Sequence, residues 1–240
     1  RMMYLWIGAA LVSYFVKGLC GFADALIFNS ILSFGINTAD ISPVLLVTGY
    51  PTSLIVAWQN RRGLRLRVCL PLAALVLAGC IPGAFMLKNV DARLIKFIFG
   101  FVVVALGVEM LLRERRQEKL PASKPVLALI GVLAGVLCGL FGVGALMAAY
   151  VGRVTETNSE FKANMNAVFF VEGTFRLILY LCLGLITPAS LRQSLILMPC
   201  MLAGIFLGSR CSRKLNEKVV KKLVIFTLIL SGVLLILRNL

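Results

Sequence analysis

The sequence predicts an all-α protein that crosses a lipid bilayer several times. Hydrophobic residues make up 60% of its 240 residues and charged residues only 15%, whereas soluble domains are about 45–50% apolar and about 25% charged. The apolar residues form runs separated by glycine, proline or clustered charge, and the two halves of the chain repeat one another. Such a chain has too little polar surface to face water, so we expect its exterior to contact lipid.

The apolar runs define about ten helical segments, five in each half. A straight span needs about 20 residues, so segments 1, 2, 6 and 7 are short, and we expect segments 1–2 and 6–7 to form hairpins joined by glycine-rich turns. We expect one integrated membrane domain, with a first repeat at 1–113, a basic linker at 114–124 and a second repeat at 125–240. The segments cover residues 3–17, 23–35, 41–59, 67–87, 92–112, 125–139, 143–153, 161–183, 188–209 and 217–237.

Two motifs recur in the same order in both halves. Gly18-Leu19-Cys20-Gly21 matches Gly139-Leu140-Phe141-Gly142 at the joint between the first two short segments of each half. Leu77-Ala78-Gly79 followed by Gly83 matches Leu202-Ala203-Gly204 followed by Gly208. Single matches of small residues are common in apolar sequence, but several in one order at similar offsets indicate an internal duplication.

The loop charges indicate that the second repeat is inverted. Residues 61–67, after segment 3, include four arginines, whereas the equivalent loop at 184–193 has only Arg192. In the next pair of equivalent loops the second half is the more basic one, because residues 210–222 carry more basic residues than residues 88–96. Basic loops stay in the cytoplasm, so equivalent loops lie on opposite sides of the membrane. We therefore expect the linker 114–124 to be cytoplasmic and both termini to lie outside.

The composition excludes several other functions. The net charge of +15 lies in short clusters between apolar runs rather than on one basic face, so no nucleic acid partner is expected. Without histidine, neither Ser-His-Asp nor Cys-His catalysis is available, and no P-loop is present to couple ATP. The seven cysteines lack C-x-x-C spacing, and we interpret them as small buried hydrophobes. We therefore expect no enzyme, no cofactor and no metal, and transport driven by a gradient.

The two glycine turns are the predicted substrate site. Carriers built from inverted repeats bind substrate near the membrane midplane, where short or broken helices meet. Glycines leave amide groups open to a ligand, and the positive end of the helix after each turn favours an anion. The alternative is that the glycines only permit close helix packing. The turn residues predicted to bind substrate are Gly18, Gly21, Phe22, Gly139, Gly142, Val143 and Gly144.

Lys17 directly precedes the first turn. A lysine deep in a membrane costs at least about 2.5 kcal/mol, so it normally faces a cavity or a partner. We expect Lys17 to bind substrate if segments 1–2 form a re-entrant hairpin; if segment 1 crosses fully, Lys17 lies near the surface. Asp24, close to the start of segment 2, is a candidate for proton coupling, with pairing to Lys17 or helix capping as the alternatives.

Segments 8 and 3 contribute the other polar candidates. Glu172 and Arg176 are four residues apart on one helix face, so an ion pair is expected. Arg176 also suits oxyanion binding, and Glu172 is the second candidate for proton coupling. Asn166, nearly two turns earlier, and Tyr50, beside a proline that should kink segment 3, complete the predicted substrate-binding set.

The sequence resembles the sulfite exporter TauE/SafE family. The resemblance is carried by the glycine-rich stretches 18–22 and 131–144, the Leu-Ala-Gly-x-x-x-Gly motif in each half, the small size and the two-fold repeat, and it covers essentially the whole chain. It implies a carrier of the bacterial inner (plasma) membrane that exports sulfite, sulfoacetate or related sulfur-containing anions. The cationic Lys17 and Arg176 independently suggest an anionic substrate, which an inverted repeat would carry by alternating access.

Several alternatives stay open at the level of sequence. The chain could form a channel for inorganic anions, or export another small anionic metabolite. A scaffold without transport activity is a third alternative. Coupling protons and assembly into a homodimer are also left open.

Overall fold

The computed structural model describes residues 2–33, 35–91, 124–155 and 157–211, together with individual residues at 94–112 and 226–237. Predicted segments 92–112 and 217–237, apart from these individual residues, and nearly all of the linker 114–124 therefore lie outside the described residues. Within the continuous ranges the chain is helical, without strands, and a short 3-10 turn at Arg61–Gly63 follows the third helix. The helices are α1 (Met2–Cys20), α2 (Asp24–Leu32), α3 (Thr38–Gln59), α4 (Leu66–Asn89), α5 (Lys124–Phe141), α6 (Ala145–Val154), α7 (Asn158–Cys182) and α8 (Pro188–Cys211).

Among the described residues, five helices are long and apolar enough to cross a membrane: α1, α3, α4, α7 and α8. The helix α1 differs from the prediction that segment 1 is short and ends at residue 17. It continues through Gly18 to Cys20, because Gly18 packs closely against α8 instead of starting the turn. Lys17 therefore lies inside a full-length helix and is nevertheless buried. The two alternatives considered for Lys17, a deep re-entrant hairpin or a superficial position, did not include this arrangement.

Both α1 and α5 end in the same way. Gly21 has φ +86° and donates its N–H to the Lys17 carbonyl at 2.7 Å; Gly142 has φ +70° and donates to the Cys138 carbonyl at 2.8 Å. A left-handed glycine with this hydrogen bond terminates a helix without the steric cost that a Cβ would add. In the first turn Ala23 is also left-handed, at φ 77°, which costs an L-residue about 1–2 kcal/mol. The first turn therefore positions Asp24 through an unfavourable backbone conformation at Ala23.

The helices α3 and α7 pack against each other. The pair α1 and α8 packs beside α3, and the pair α4 and α5 packs beside α7. The helix α3 runs unbroken through Pro43 and Pro51. At the start of α7, the Thr157 hydroxyl caps the helix by accepting the Glu160 N–H at 3.2 Å, as N-cap threonines do. The helices α3 and α7 carry most of the buried polar side chains described below.

The two outer helix pairs are held together by glycines. A methyl group on Gly18 would lie 2.6 Å from the Ile205 carbonyl oxygen of α8. A methyl group on Gly139 would lie 2.5 Å from the Cys80 carbonyl oxygen of α4. Such small-residue contacts let helix backbones approach closely inside membranes. Gly18 and Gly139 are therefore packing residues, as the alternative interpretation of the glycine motifs expected.

Candidate functional site

A cleft opens between the end of α1, the start of α2, α3, the second glycine turn and α7. Its empty space is about 330 Å³, counting its open mouth. Tyr50 and Glu172, on opposite walls, each lie near the middle of a long helix, so the cleft is at mid-height of the bundle. The lining residues are Lys17, Asp24, Ala25, Leu45, Leu46, Gly49, Tyr50, Ser53, Gly142, Phe169, Glu172, Gly173 and Arg176.

Lys17 is the cation on one side of the cleft. Its side chain is 3% exposed. Its Nζ donates to Asp24 Oδ2 at 2.9 Å and to the Ser53 hydroxyl at 3.2 Å, and lies 5.5 Å from the centre of the Phe169 ring. A buried ammonium ion needs such partners because its desolvation is costly. The geometry confirms the pairing of Lys17 with Asp24 that the sequence offered as one alternative.

Glu172 and Arg176 form the second charged pair of the cleft. Glu172 Oε1 lies 3.1 Å from Arg176 Nε, which confirms the predicted ion pair on one face of α7. The Cys80 thiol lies 3.7 Å from the same carboxylate oxygen. The Arg176 guanidinium also donates through Nη1 to the Cys138 carbonyl and lies 5.8 Å from the Tyr180 ring. Arg176 therefore faces the cleft while it also supports the end of α5.

Side chains satisfy the last four carbonyl groups of α5. A helix C-terminus leaves these groups without intrahelical partners, and inside a membrane no water is at hand to replace them. In addition to the bond from Arg176 to Cys138, Tyr180 donates to the Gly139 carbonyl at 2.6 Å. The next two carbonyls, of residues 140 and 141, accept from Ser42 at 2.9 Å and from Asn29 at 2.8 Å. Three helices, α2, α3 and α7, thus fix this turn.

Two side chains of α7 support the end of α1 and the first turn. Lys162 donates to the Gly18 carbonyl at 3.4 Å, and Asn166 donates to the Gly21 carbonyl at 3.0 Å. The helix α7 therefore holds both glycine turns, because its C-terminal half carries Arg176 and Tyr180. Sequence reasoning did not single out Lys162 and Tyr180. Both residues could have been found from their spacing. Polar residues three or four positions apart in a largely apolar segment lie on one face of a helix, and Lys162 and Tyr180 follow this spacing from Asn166 and Arg176.

The structure brings some of the predicted site residues together at the cleft and leaves others outside it. Among those predicted to bind substrate or protons, the cleft is lined by Lys17, Asp24, Tyr50, Gly142, Glu172 and Arg176. Gly18 and Gly139 pack between helices, and Asn166 donates a hydrogen bond to the Gly21 carbonyl of the first turn. The remaining predicted residues lie beside the turns without lining the cleft: Gly21 against Lys162, Phe22 against Phe161, Val143 in the core and Gly144 against Phe169.

The surroundings of Tyr50 and Asp24 add residues that the prediction did not include. The Tyr50 hydroxyl lies 3.1 Å from the Thr174 hydroxyl, and its ring stacks on Phe170 with centroids 4.9 Å apart. Gly49 leaves room beside Asp24, whose Oδ2 lies 3.8 Å from where a methyl group on Gly49 would be. The cleft therefore combines two cations, two carboxylates, two hydroxyl groups and aromatic faces. Among the described residues, no cluster of histidine, cysteine or carboxylate side chains could hold a metal ion.

The comparison with known families agrees with this architecture. No curated protein and no solved structure matches the chain. The family model described as sulfite exporter TauE/SafE matches residues 5–235, nearly the whole chain. Together with the apolar helices long enough to span a bilayer, this match identifies a multi-pass membrane transporter. The chain belongs to the sulfite exporter TauE/SafE family.

Proposed function

We propose that the protein is a secondary carrier that exports small sulfur-containing anions, such as sulfite or organosulfonates, by alternating access. The observation that carries the proposal is the convergence of Lys17 and Arg176, one from each half of the chain, on a single cleft. Both are buried, and a buried cation inside a membrane bundle is typical of a substrate or ion pathway. Membership of the sulfite exporter TauE/SafE family supports the choice of sulfur anions.

Alternating access in this proposal depends on two five-helix halves related by inversion. Equivalent contacts support it: Gly18 of α1 fits against the backbone of α8 as Gly139 of α5 fits against that of α4. The left-handed glycines that end α1 and α5 are a second equivalence. Rocking of one half against the other around a fixed site is the usual motion of such carriers. Here it would expose the cleft to each side in turn.

Within this site we assign direct anion contacts to Lys17 and Arg176. Tyr50 and Gly142 line the same space, while Asp24 and Glu172 are the carboxylates able to carry a coupling proton. The other predicted residues shape the turns: Gly18, Gly21, Phe22, Gly139, Val143, Gly144 and Asn166.

The proposed location is the bacterial inner (plasma) membrane. The four arginines of residues 61–67 and the basic linker 114–124 favour a cytoplasmic position for both. This orientation leaves both termini outside. Assembly into a homodimer is compatible with it but is not needed to build the cleft, which one chain lines by itself.

Flux into proteoliposomes that contain the purified protein tests the proposal. Sulfite, sulfoacetate, taurine, sulfate and lactate are compared across a pH gradient. We expect saturable flux of sulfur-containing anions, and none of this flux in empty vesicles. Absence of flux for every sulfur anion contradicts the proposed function, and flux that does not saturate and needs no coupling ion points to a channel. Preference for lactate indicates another anionic metabolite as the substrate.

Two alanine variants test the site separately from the function. Lys17→Ala and Arg176→Ala should each raise the half-saturating concentration about tenfold or more, because a hydrogen bond to a charged group contributes about 1.5–3 kcal/mol. The exposed Lys88 and Arg192 supply matched controls, and Lys88→Ala and Arg192→Ala should transport like the wild type. Unchanged flux in the double variant Lys17→Ala/Arg176→Ala leaves transport intact but refutes the assignment of the site.

A further inference from the structure

The charges that line the cleft cancel. Lys17 and Arg176 are positive, Asp24 and Glu172 are negative, and all four side chains are more than nine-tenths buried. Each cation lies within 3.1 Å of its carboxylate partner. An anion that enters this balanced cleft adds a negative charge where little water can screen it, which is unfavourable. Removal of one negative charge from the cleft would therefore favour anion binding.

Glu172 is poorly placed to lose its charge. It lies on the same helix as Arg176, one turn away, so the two groups cannot separate when helices move. Arginine does not release its proton in proteins. Arg176 is also committed through Nη1 to the Cys138 carbonyl at the end of α5. If Glu172 were protonated, the buried Arg176 guanidinium would still be held by its hydrogen bond to the Cys138 carbonyl.

Asp24 is placed differently. It begins α2 on the far side of the glycine turn from Lys17, so the pair spans two helices joined by residues 21–23. Within the described part of the chain, its carboxylate accepts one hydrogen bond, from Lys17. Lys17 keeps Ser53 as a partner when the bond to Asp24 breaks. Loss of the charge on Asp24 thus frees the donor that Asp24 held on an ammonium group that already faces the cleft.

We propose that Asp24 takes up one proton from the aqueous phase as the anion binds to Lys17, and that both leave together on the other side. The inference rests on the proposed transport function and adds its stoichiometry. The proton neutralises the Asp24 carboxylate, and the anion takes its place beside the Lys17 ammonium. For a monovalent anion the complete cycle carries one anion with one proton and moves no net charge.

The neighbours of Asp24 are compatible with this exchange. Gly49 of α3 adds no side chain beside the Asp24 carboxylate, and both residues line the cleft together with Lys17. Among the described residues, the titratable and charged groups near Asp24 besides Lys17 are Tyr14 from α1, Tyr50 from α3, Cys138 from α5, and Glu172 and Arg176 from α7.

The test uses the full-length protein in proteoliposomes with radiolabelled methanesulfonate, which carries one negative charge throughout the neutral pH range. Internal pH is recorded with a trapped dye, and the membrane potential is set with potassium and valinomycin. We expect about one proton to enter with each anion. We also expect accumulation to be independent of the potential, whereas a carrier that moves one charge would change its accumulation about 50-fold for a potential of about 100 mV.

Asp24→Asn should abolish proton entry and make any remaining flux respond to the potential. The matched control is Asp40→Asn, on the exposed first turn of α3, which should keep the wild-type ratio. Wild-type flux without proton entry overturns the inference but leaves the proposed function standing, and it does so even if Asp24→Asn fails to fold. Proton entry that persists in a folded Asp24→Asn variant overturns it as well. Absence of wild-type flux with every sulfur anion overturns the function and the inference together.

Discussion

Replacement of Gly18 by alanine should loosen the contact between α1 and α8. The added methyl group would lie 2.6 Å from the Ile205 carbonyl oxygen and 2.8 Å from the Ser209 nitrogen. A carbon atom normally stays about 3.3 Å or more from a carbonyl oxygen, so the overlap is about 0.7 Å. Both contacts are backbone atoms that cannot rotate away, and the helices have to move apart. Overpacking of this kind costs about 1–3 kcal/mol.

Thermal unfolding of the protein in detergent micelles measures this cost. For a chain of this size the unfolding temperature should fall by about 2–12 °C, at about 2–4 °C for each kcal/mol. The control is Gly8→Ala in the same helix, where no atom lies within 4 Å of the new methyl group. Alanine there should leave stability unchanged or raise it by up to about 1 kcal/mol. Equal unfolding temperatures for the two variants would refute the packing role of Gly18.

Three further predictions concern single contacts. Gly142→Ala should destabilise the protein more than Gly184→Ala in thermal unfolding, because both have φ +70° but only the first has side chains within 4 Å of the new methyl group. Tyr180→Phe should cost about 1–3 kcal/mol in the same assay, because it leaves a buried carbonyl of α5 without a donor; a smaller loss would show that another group replaces it. The exposed pair Arg65 and Glu160, 2.7 Å apart, should couple by no more than about 1 kcal/mol in a double-mutant cycle.

The parts of the site that follow local rules could be predicted from the sequence. The spacing of Glu172 and Arg176 predicted their ion pair, since residues four apart on a helix always share a face. The glycine motifs predicted two equivalent turns, because the left-handed conformation that ends a helix favours glycine. Family membership was likewise predicted from these motifs and confirmed by the match over residues 5–235.

The parts that depend on tertiary packing could not be predicted in the same way. The end of α1 was predicted too early because glycine usually disfavours a helix. In the structure Gly18 is helical and packs against α8. The partner of Lys17 in α3, Ser53, is 36 positions away, and no local pattern connects them. The role of Tyr180 was also hidden, because a tyrosine in an apolar run is usually read as part of the core.

The hydrogen bonds at the end of α5 have a consequence for biogenesis. Ser42 and Asn29 precede α5 in the chain and can meet it as soon as it enters the membrane, but Arg176 and Tyr180 are synthesised about 40 residues later. Until α7 arrives, the Gly139 carbonyl has no donor and the Cys138 carbonyl has only the Gly142 N–H. The nascent hairpin then needs water or the insertion machinery as a partner, since lipid offers none. We therefore expect α5 and α6 to stay beside the translocon until α7 has been made, and a chain truncated before residue 176 to be degraded in preference to one that ends after residue 182.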